Sequence, residues 1–328
     1  MSVPQALEDY ARLSPDLVLA AVESTGRLSD LRVLALNSYE NRVYQVGIED
    51  DSPVIAKFYR PGRWSDAALR EEHAFTRELA AAELPVVAPL ADADGNTLFG
   101  YADYRFALFP RKGGQAPEPG DLDQLNRLGL LLGRLHAVAQ KSAFTHRPVL
   151  DLARFLEQPA AAVRPFLPAD LRPRYEAVLA ALRTAIAASG LPAARLQRCH
   201  GDVHPGNVLW TRDDGPWLVD FDDCQSAPAV QDLWMLLSGE RHEQESQLAE
   251  LLDGYETFTE FDTRELAFIE PLRSLRLVHY AGWLARRWDD PAFPRHFPWF
   301  NTPGYWAQHI AELEDQQERL RASPLRRL

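Results

Sequence analysis

Apolar and polar positions follow two rhythms along this chain. Between residues 31 and 58, the stretch "VLALNSYENRVYQVGIEDDSPVIAKF" mixes β-branched and aromatic residues with turn-forming Asn, Gly, Asp and Pro, and predicts strands with a hairpin turn at "EDDSP". The segment "SDAALREEHAFTRELAAAEL" then places Leu69, Phe75 and Leu79 at helical spacing after a Ser-Asp start, which predicts a helix. "TLFGYADYRFALFP" returns to the strand rhythm as two short strands. Together these elements describe a small, largely antiparallel sheet carrying one helix.

The pattern changes at "PRKGGQAPEPGD", residues 110–121, where Gly and Pro mark a linker or hinge. Beyond it, apolar residues at 125, 128, 132 and 135 predict a core-facing helix. Residues 151–190, rich in Ala and Leu, read as helical. A polar loop near residue 200 leads into a strand "NVLW", a turn "TRDDGP" and a strand "WLVDF". Helical patterns resume in "VQDLWMLLSG", "QLAELLDGYETF" and "LAFIEPLRSLRLVHYAGWLARRW". The expected class is α+β: a β-rich part over residues 1–110 and a larger, mainly helical part over 111–328. The aromatic concentration from Trp283 to Trp306 reads as core.

Composition narrows the function classes. The 46% apolar and 25% charged shares over 328 residues suit a globular chain with a sizeable core. The 35 basic and 47 acidic residues give 35 − 47 = −12, which argues against broad nucleic-acid or anionic-membrane binding. Two cysteines, Cys199 and Cys224, are too few for a disulfide framework and read as reduced thiols. The N-terminus has no apolar signal core, and no run reaches the ~18 residues that cross a bilayer. The expectation is a cytoplasmic protein.

The chemistry concentrates in "CHGDVHPGNVLW", residues 199–210. His200 and His204 lie four apart, but Pro205 and Gly206 break a helix and no third ligand follows at a standard zinc spacing. His200, Asp202 and Asn207 instead keep the His, Asp and Asn spacing of a phosphoryl-transfer loop. That reaction asks mainly for positioning and charge neutralisation. An aspartate, here Asp202, accepts the proton of the attacking hydroxyl, and an asparagine, here Asn207, holds magnesium. A second metal-binding acid belongs after the following hairpin. Asp220-Phe221-Asp222 stands there, with Asp222 in place of the kinase glycine and Asp223 after it.

The sheet should supply a cation for the nucleotide. Lys57, inside the apolar strand "VIAKFYR", costs desolvation without an anion and is the candidate. Its orienting carboxylate comes from "REEHAF". Glu72 leads over Glu71 because Phe75 and Leu79 set a buried stripe beside it. No Gly-rich phosphate loop is present. "LNSYENRVYQV" occupies the place, where the Ser38 hydroxyl and Asn41 amide offer alternative contacts. Asp232 in "PAVQDLWML" either caps a helix or holds the catalytic loop.

These residues resemble the aminoglycoside phosphotransferase and choline kinase superfamily, a branch of the bilobal protein-kinase-like fold, whose catalytic loop reads His-Gly-Asp-x-His-x-x-Asn. "HGDVHPGN" fits every fixed position. "LNSYENRVYQ", "KFYRPGRW", "EEHAF", "PAVQDLWMLL", "FDT" before "IEPLR", and "DPAFPRHFPW" are similar to the bacterial stress response kinase A family over about residues 15–305. The resemblance implies an ATP- and Mg2+-dependent serine/threonine protein kinase, cytoplasmic and monomeric, in envelope and oxidative stress. By position it implies Asp202 as proton acceptor, Asp220 as a catalytic acid, Asn207 and Asp220 as Mg2+ ligands, and Ser38 as a nucleotide contact. The "TRDDGP" turn is slightly longer than the family's. Two other classes stay open on the residues alone: a small-molecule kinase on the same scaffold, and a nucleotide-binding regulator without turnover.

Overall fold

A computed structural model of the chain describes residues 12–327, arranged as two compact units. The first takes the chain up to Pro117 together with Phe144–Arg147 and His204–Cys224. Its centre is a five-stranded antiparallel sheet in the order β1-β2-β3-β5-β4. The strands are β1 (Ser29–Leu36), β2 (Arg42–Ile48), β3 (Asp51–Phe58), β4 (Phe99–Tyr101) and β5 (Tyr104–Pro110). The antiparallel sheet is the one that the β-branched and aromatic stretches predict.

The β2–β3 turn is tighter than the sequence suggests. Only Glu49 and Asp50 lie outside the strands, with Asp50 at φ +55°. Pro53 falls inside β3, where the register slips between Val46 and Ile48, so its missing N–H interrupts no ladder pair.

Helix α1 (Pro15–Glu23), capped by Ser14, buries Val18, Ala21 and Val22 in the same core as Val46, Val54, Ala56 and Phe58 of the sheet. Phe58 stacks on Phe106 at 5.1 Å. Helix α2 (Asp66–Ala81) starts where expected, with the Ser65 hydroxyl accepting from the Ala68 amide, and buries Leu69, Phe75 and Leu79. Phe75 meets Phe144 and Phe221 edge-on, at 5.3 and 6.0 Å. Those rings seat segment 144–147 and the hairpin that follows residue 204 in this unit.

The second unit is helical. Helix α3 (Leu122–Ala139) buries the predicted Leu125, Leu128, Leu132 and Leu135. After a π turn at Ala153–Glu157 come α4 (Gln158–Val163), α5 (Arg172–Ala188), α6 (Arg241–Tyr255), α7 (Ile269–Arg287), α8 (Ala292–His296) and α9 (Pro303–Arg319). Two short strands, β6 (Gln197–Cys199) and β9 (Gln225–Ala227), pair antiparallel. The helix expected at "VQDLWMLLSG" is replaced by two single 3-10 turns, Ala229–Asp232 and Trp234–Leu236. Side chains hold this segment instead of a helical ladder: the Glu265 carboxylate takes the Val230 amide, and Asp232 is engaged elsewhere. Part of the aromatic concentration is core, with Phe293, Phe300 and Trp306 at 2% exposure or less, while Trp299 is 43% exposed.

Among the described residues no helix is long and apolar enough to cross a membrane. Cys199 and Cys224 are both buried and free, as two reduced thiols should be.

Helices α3 and α6 approach so closely that glycine is required at the crossing. A Cβ on Gly133 would lie 2.2 Å from the Tyr255 carbonyl oxygen, and one on Gly129 2.0 Å from that of Leu251. Alanine favours a helix over glycine by about 1 kcal/mol, but overpacking against backbone costs about 1–3 kcal/mol. Gly133→Ala should therefore lower the urea midpoint, the steric term outweighing the propensity gain.

Candidate functional site

The hairpin of the first unit sets the site. Strands β7 (Val208–Thr211) and β8 (Gly215–Leu218) pair so that Val208 faces Leu218. The Val219 amide donates to the Asn207 carbonyl at 3.1 Å. Asn207 and Asp220 therefore leave the same end of the hairpin. The strand expected through "WLVDF" stops at Leu218, and Asp220 turns into the left-handed region at φ +61°, ψ +65° before a 3-10 turn, Phe221–Asp223. Aspartate tolerates that conformation better than most residues. The turn sends Asp220 outward, with half of its side chain exposed, and Asp222 inward, at 4%.

Lys57 reaches this turn from the middle of the sheet, between Val43 and Ala107 in register. Its ammonium donates to Asp220 Oδ1 at 2.7 Å and stands 3.4 Å from Asp222 Oδ1. Burial alone would push the Lys57 pKa down, yet Asp220, Asp222 and Glu72 hold it well above the lysine range. Lys57 stays charged, as the sequence requires of a lysine in an apolar strand.

Asp222 is the hub of this unit. The Arg63 guanidinium bonds it and also Asp223, at 2.6 Å from the latter. The Asn41 amide donates to Asp222 at 3.1 Å, and Arg147 donates to its backbone carbonyl at 2.5 Å. Burial would raise the Asp222 pKa, but Arg63, Lys57 and Arg147 outweigh it and hold the carboxyl well below the usual carboxylate range. In the sequence Asp222 reads as a replaced glycine, and neither Arg63 nor Arg147 stands out. The signal is a charge match: the consecutive acids at 222 and 223 meet Arg63 of "YRPGRW".

The two candidate glutamates separate cleanly. Glu71 accepts the amides of Thr145, His146 and Arg147, each at 2.7 Å, and so fixes that turn. Glu72 is buried, 3.9 Å from Arg147, and lies outside ion-pair distance of Lys57, whose direct partners are Asp220 and Asp222. Ser38 is half-buried and donates to the Asn41 carbonyl at 3.1 Å, closing its own turn. The Asn41 side chain is committed at both ends, since its oxygen accepts the Arg60 amide.

Asp202 belongs to the second unit, where its loop is held from below. Asp232 accepts the amides of His200 at 2.7 Å and Gly201 at 2.8 Å, and Gln231 donates to the Gly201 carbonyl. Of the two roles open to Asp232, the structure selects holding the loop. Behind it His136, missed in the sequence, bridges Asp232 at 3.1 Å and the Tyr255 hydroxyl at 2.7 Å. Cys199 joins His136 and Asp232 in a wholly buried trio. Both ring nitrogens of His136 are engaged by hydrogen-bonding partners, which accounts for the trio as a scaffold. Asp202 itself accepts from Arg276 of α7 at 2.6 Å.

Comparison with known proteins places this constellation. Residues 32–269 match the model of the phosphotransferase enzyme family, APH. This chain belongs to the phosphotransferase enzyme family. It is 42% identical over 318 residues to stress response kinase A of Escherichia coli K12 and to the serine/threonine protein kinase RdoA of Salmonella typhimurium LT2, covering 96% of each chain in both cases. The stress response kinase A resemblance holds, and the chain is an ATP-dependent phosphotransferase. Its fold is shared with an amicoumacin kinase solved with AMP-PNP and Ca2+ (TM-score 0.74, 20% identity, 97% of this chain and 96% of that one). A microcompartment-associated aminopropanol kinase also shares it (TM-score 0.69, 18% identity, 94% and 99%).

The buried Glu72 makes the site sensitive to pH. Burial raises its pKa to about 7, against the opposing pull of Lys57. A carboxyl raised in the fold contributes stability at low pH and loses that contribution as pH climbs through 7. The urea midpoint should fall between pH 5 and 8, and Glu72→Gln should shrink that fall. An unchanged slope in the variant would show that Glu72 is ionised throughout.

Proposed function

We propose that this phosphotransferase moves the γ-phosphoryl group of ATP to a serine or threonine hydroxyl of a protein, with Mg2+, as a monomeric cytoplasmic kinase acting in a stress response. The observation that carries the reading is the buried Lys57 held against Asp220, with Asn207 leaving the same hairpin end. The protein acceptor is favoured by the names of the 42%-identical relatives, a stress response kinase and a serine/threonine protein kinase.

The roles follow from side-chain chemistry. Lys57, charged inside an apolar sheet, suits the nucleotide phosphates, and Glu72 adds to the negative field around it. An exposed carboxylate and an amide carbonyl are hard oxygen donors, so Asp220 and Asn207 fit a magnesium ion. That ion, when bound, neutralises charge on the transferred group. Asp202 accepts the proton of the attacking hydroxyl, and Asp232 fixes the amides on its N-terminal side so that the carboxylate holds its aim. Ser38, at the turn between β1 and β2, is the nucleotide contact in place of a glycine loop. In this reading residues 1–110 bind the nucleotide, and residues 111–328 bind the acceptor and carry the catalytic loop.

Incubation with labelled ATP, Mg2+ and a generic acceptor such as myelin basic protein tests the assignment. Wild-type protein should label the acceptor. Asp202→Ala should lose transfer while keeping nucleotide binding, and Asp220→Ala should weaken Mg-nucleotide binding as well. Near wild-type turnover in Asp202→Ala would remove the base. Label appearing only on small hydroxyl compounds would replace the protein acceptor with a small molecule.

A further inference from the structure

Lys57 needs a holder that the chemistry does not claim. Its nearest partner, Asp220, is the exposed carboxylate that suits magnesium, and Asp222 is shared with Arg63. Glu72 lies outside ion-pair distance. An ammonium on a long flexible stem needs a further restraint to keep one aim. The Tyr59 ring supplies it: Lys57 Nζ stands over that ring, 5.5 Å from its centroid, within the range at which an aromatic face attracts a cation. Residues 57 and 59 point to the same side because side chains alternate along an extended chain. The Tyr59 amide continues the ladder beyond β3 by donating to the Arg105 carbonyl at 2.9 Å.

Tyr59 is held in turn by a buried file of side chains that passes through α2. Its hydroxyl lies 2.7 Å from His73 Nε2, and His73 Nδ1 lies 2.8 Å from the Thr97 hydroxyl. Phe109 of β5 meets the imidazole edge-on at 6.4 Å. Tyr59, His73 and Thr97 are all buried. Burial, and after it Lys57, holds the His73 pKa down at about 3, while burial and then Glu72 push the Tyr59 hydroxyl well above the usual range. The imidazole is therefore neutral and the phenol keeps its proton. A neutral imidazole has one accepting nitrogen. Placed on Nε2, that nitrogen takes a hydrogen bond from the phenol, and Nδ1–H donates to Thr97. A phenol that donates carries more electron density on its ring, which strengthens its pull on a cation.

We propose that His73 and Tyr59 are positioning residues for the nucleotide lysine: the file Thr97–His73–Tyr59 presents an electron-rich ring that keeps the Lys57 ammonium aimed at the phosphates. The inference rests on the reading of Lys57 as the nucleotide's cation and adds what aims it.

The test measures, on the full chain, the affinity for ATP and for adenosine, which offers no phosphate. Lys57→Met should weaken ATP and leave adenosine at the wild-type affinity. Tyr59→Leu should weaken ATP about tenfold with adenosine again unchanged, the factor expected of a desolvated cation–π contact. Tyr59→Phe and His73→Leu each remove the hydrogen bond but keep an aromatic face at 59, and each should weaken ATP about threefold. The double variant should also stand at about threefold rather than about ninefold, because both changes remove one and the same bond. Adenosine affinity reports that each variant folds, and Tyr59→Phe, which keeps the ring's volume, decides the matter where Tyr59→Leu does not fold. ATP and adenosine weakening together, no change in either, or effects that multiply in the double variant would overturn the brace and leave Lys57 in its role. A ratio of ATP to adenosine affinity unmoved by Lys57→Met would overturn the reading of Lys57 itself, and the brace with it.

Discussion

A single buried carboxylate organises the first unit. Asp222 lies where water cannot solvate it, so its charge is tolerable only because Lys57, Arg63 and Asn41 converge on it and Arg147 grips its carbonyl. Each partner comes from a different stretch of chain: a sheet strand, the loop after it, the β1–β2 turn and the segment at 144–147. Removing one partner leaves an uncompensated buried charge, which costs about 3–5 kcal/mol where it has been measured. The network therefore fixes the exposed Asp220 two residues earlier, and with it the Lys57 contact.

The second unit solves the same positioning problem with hydrogen-bonding side chains and backbone groups. Asp232 receives two loop amides, and His136 and Tyr255 brace it from behind in a wholly buried setting. A carboxylate whose oxygens already accept short hydrogen bonds is stiff, and stiffness is what a positioning group contributes to catalysis. Arg276 then touches the aspartate that this scaffold presents.

Much of this was legible in the sequence because it is local. β-Branched and aromatic runs bounded by turn residues marked the five strands, and the i, i+3 and i, i+7 spacings marked α2 and α3 with their buried leucines. The His, Asp and Asn spacing marked the loop, and one hairpin later the acid run marked Asp220. What escaped depends on contacts distant in sequence. Asp222 and Asn41 are 181 residues apart, and His136 meets Tyr255 across 119. The 3-10 turns at 229–236 read as helix because their apolar spacing is helical, while Glu265 fixes the backbone otherwise. The end of β8 escaped because apolar Trp217, Leu218 and Val219 continue the strand rhythm into a residue whose backbone has already reversed.

That reversal constrains the history of the site. At φ +61° the backbone of residue 220 admits glycine, asparagine and aspartate at little steric cost and resists β-branched side chains. A lineage that abandoned catalysis while keeping the fold would drift most easily to Asn or Gly here. Val, Ile or Thr would damage the turn along with the chemistry. Descendants of this chain retained as inactive scaffolds should be recognisable by that one narrow choice.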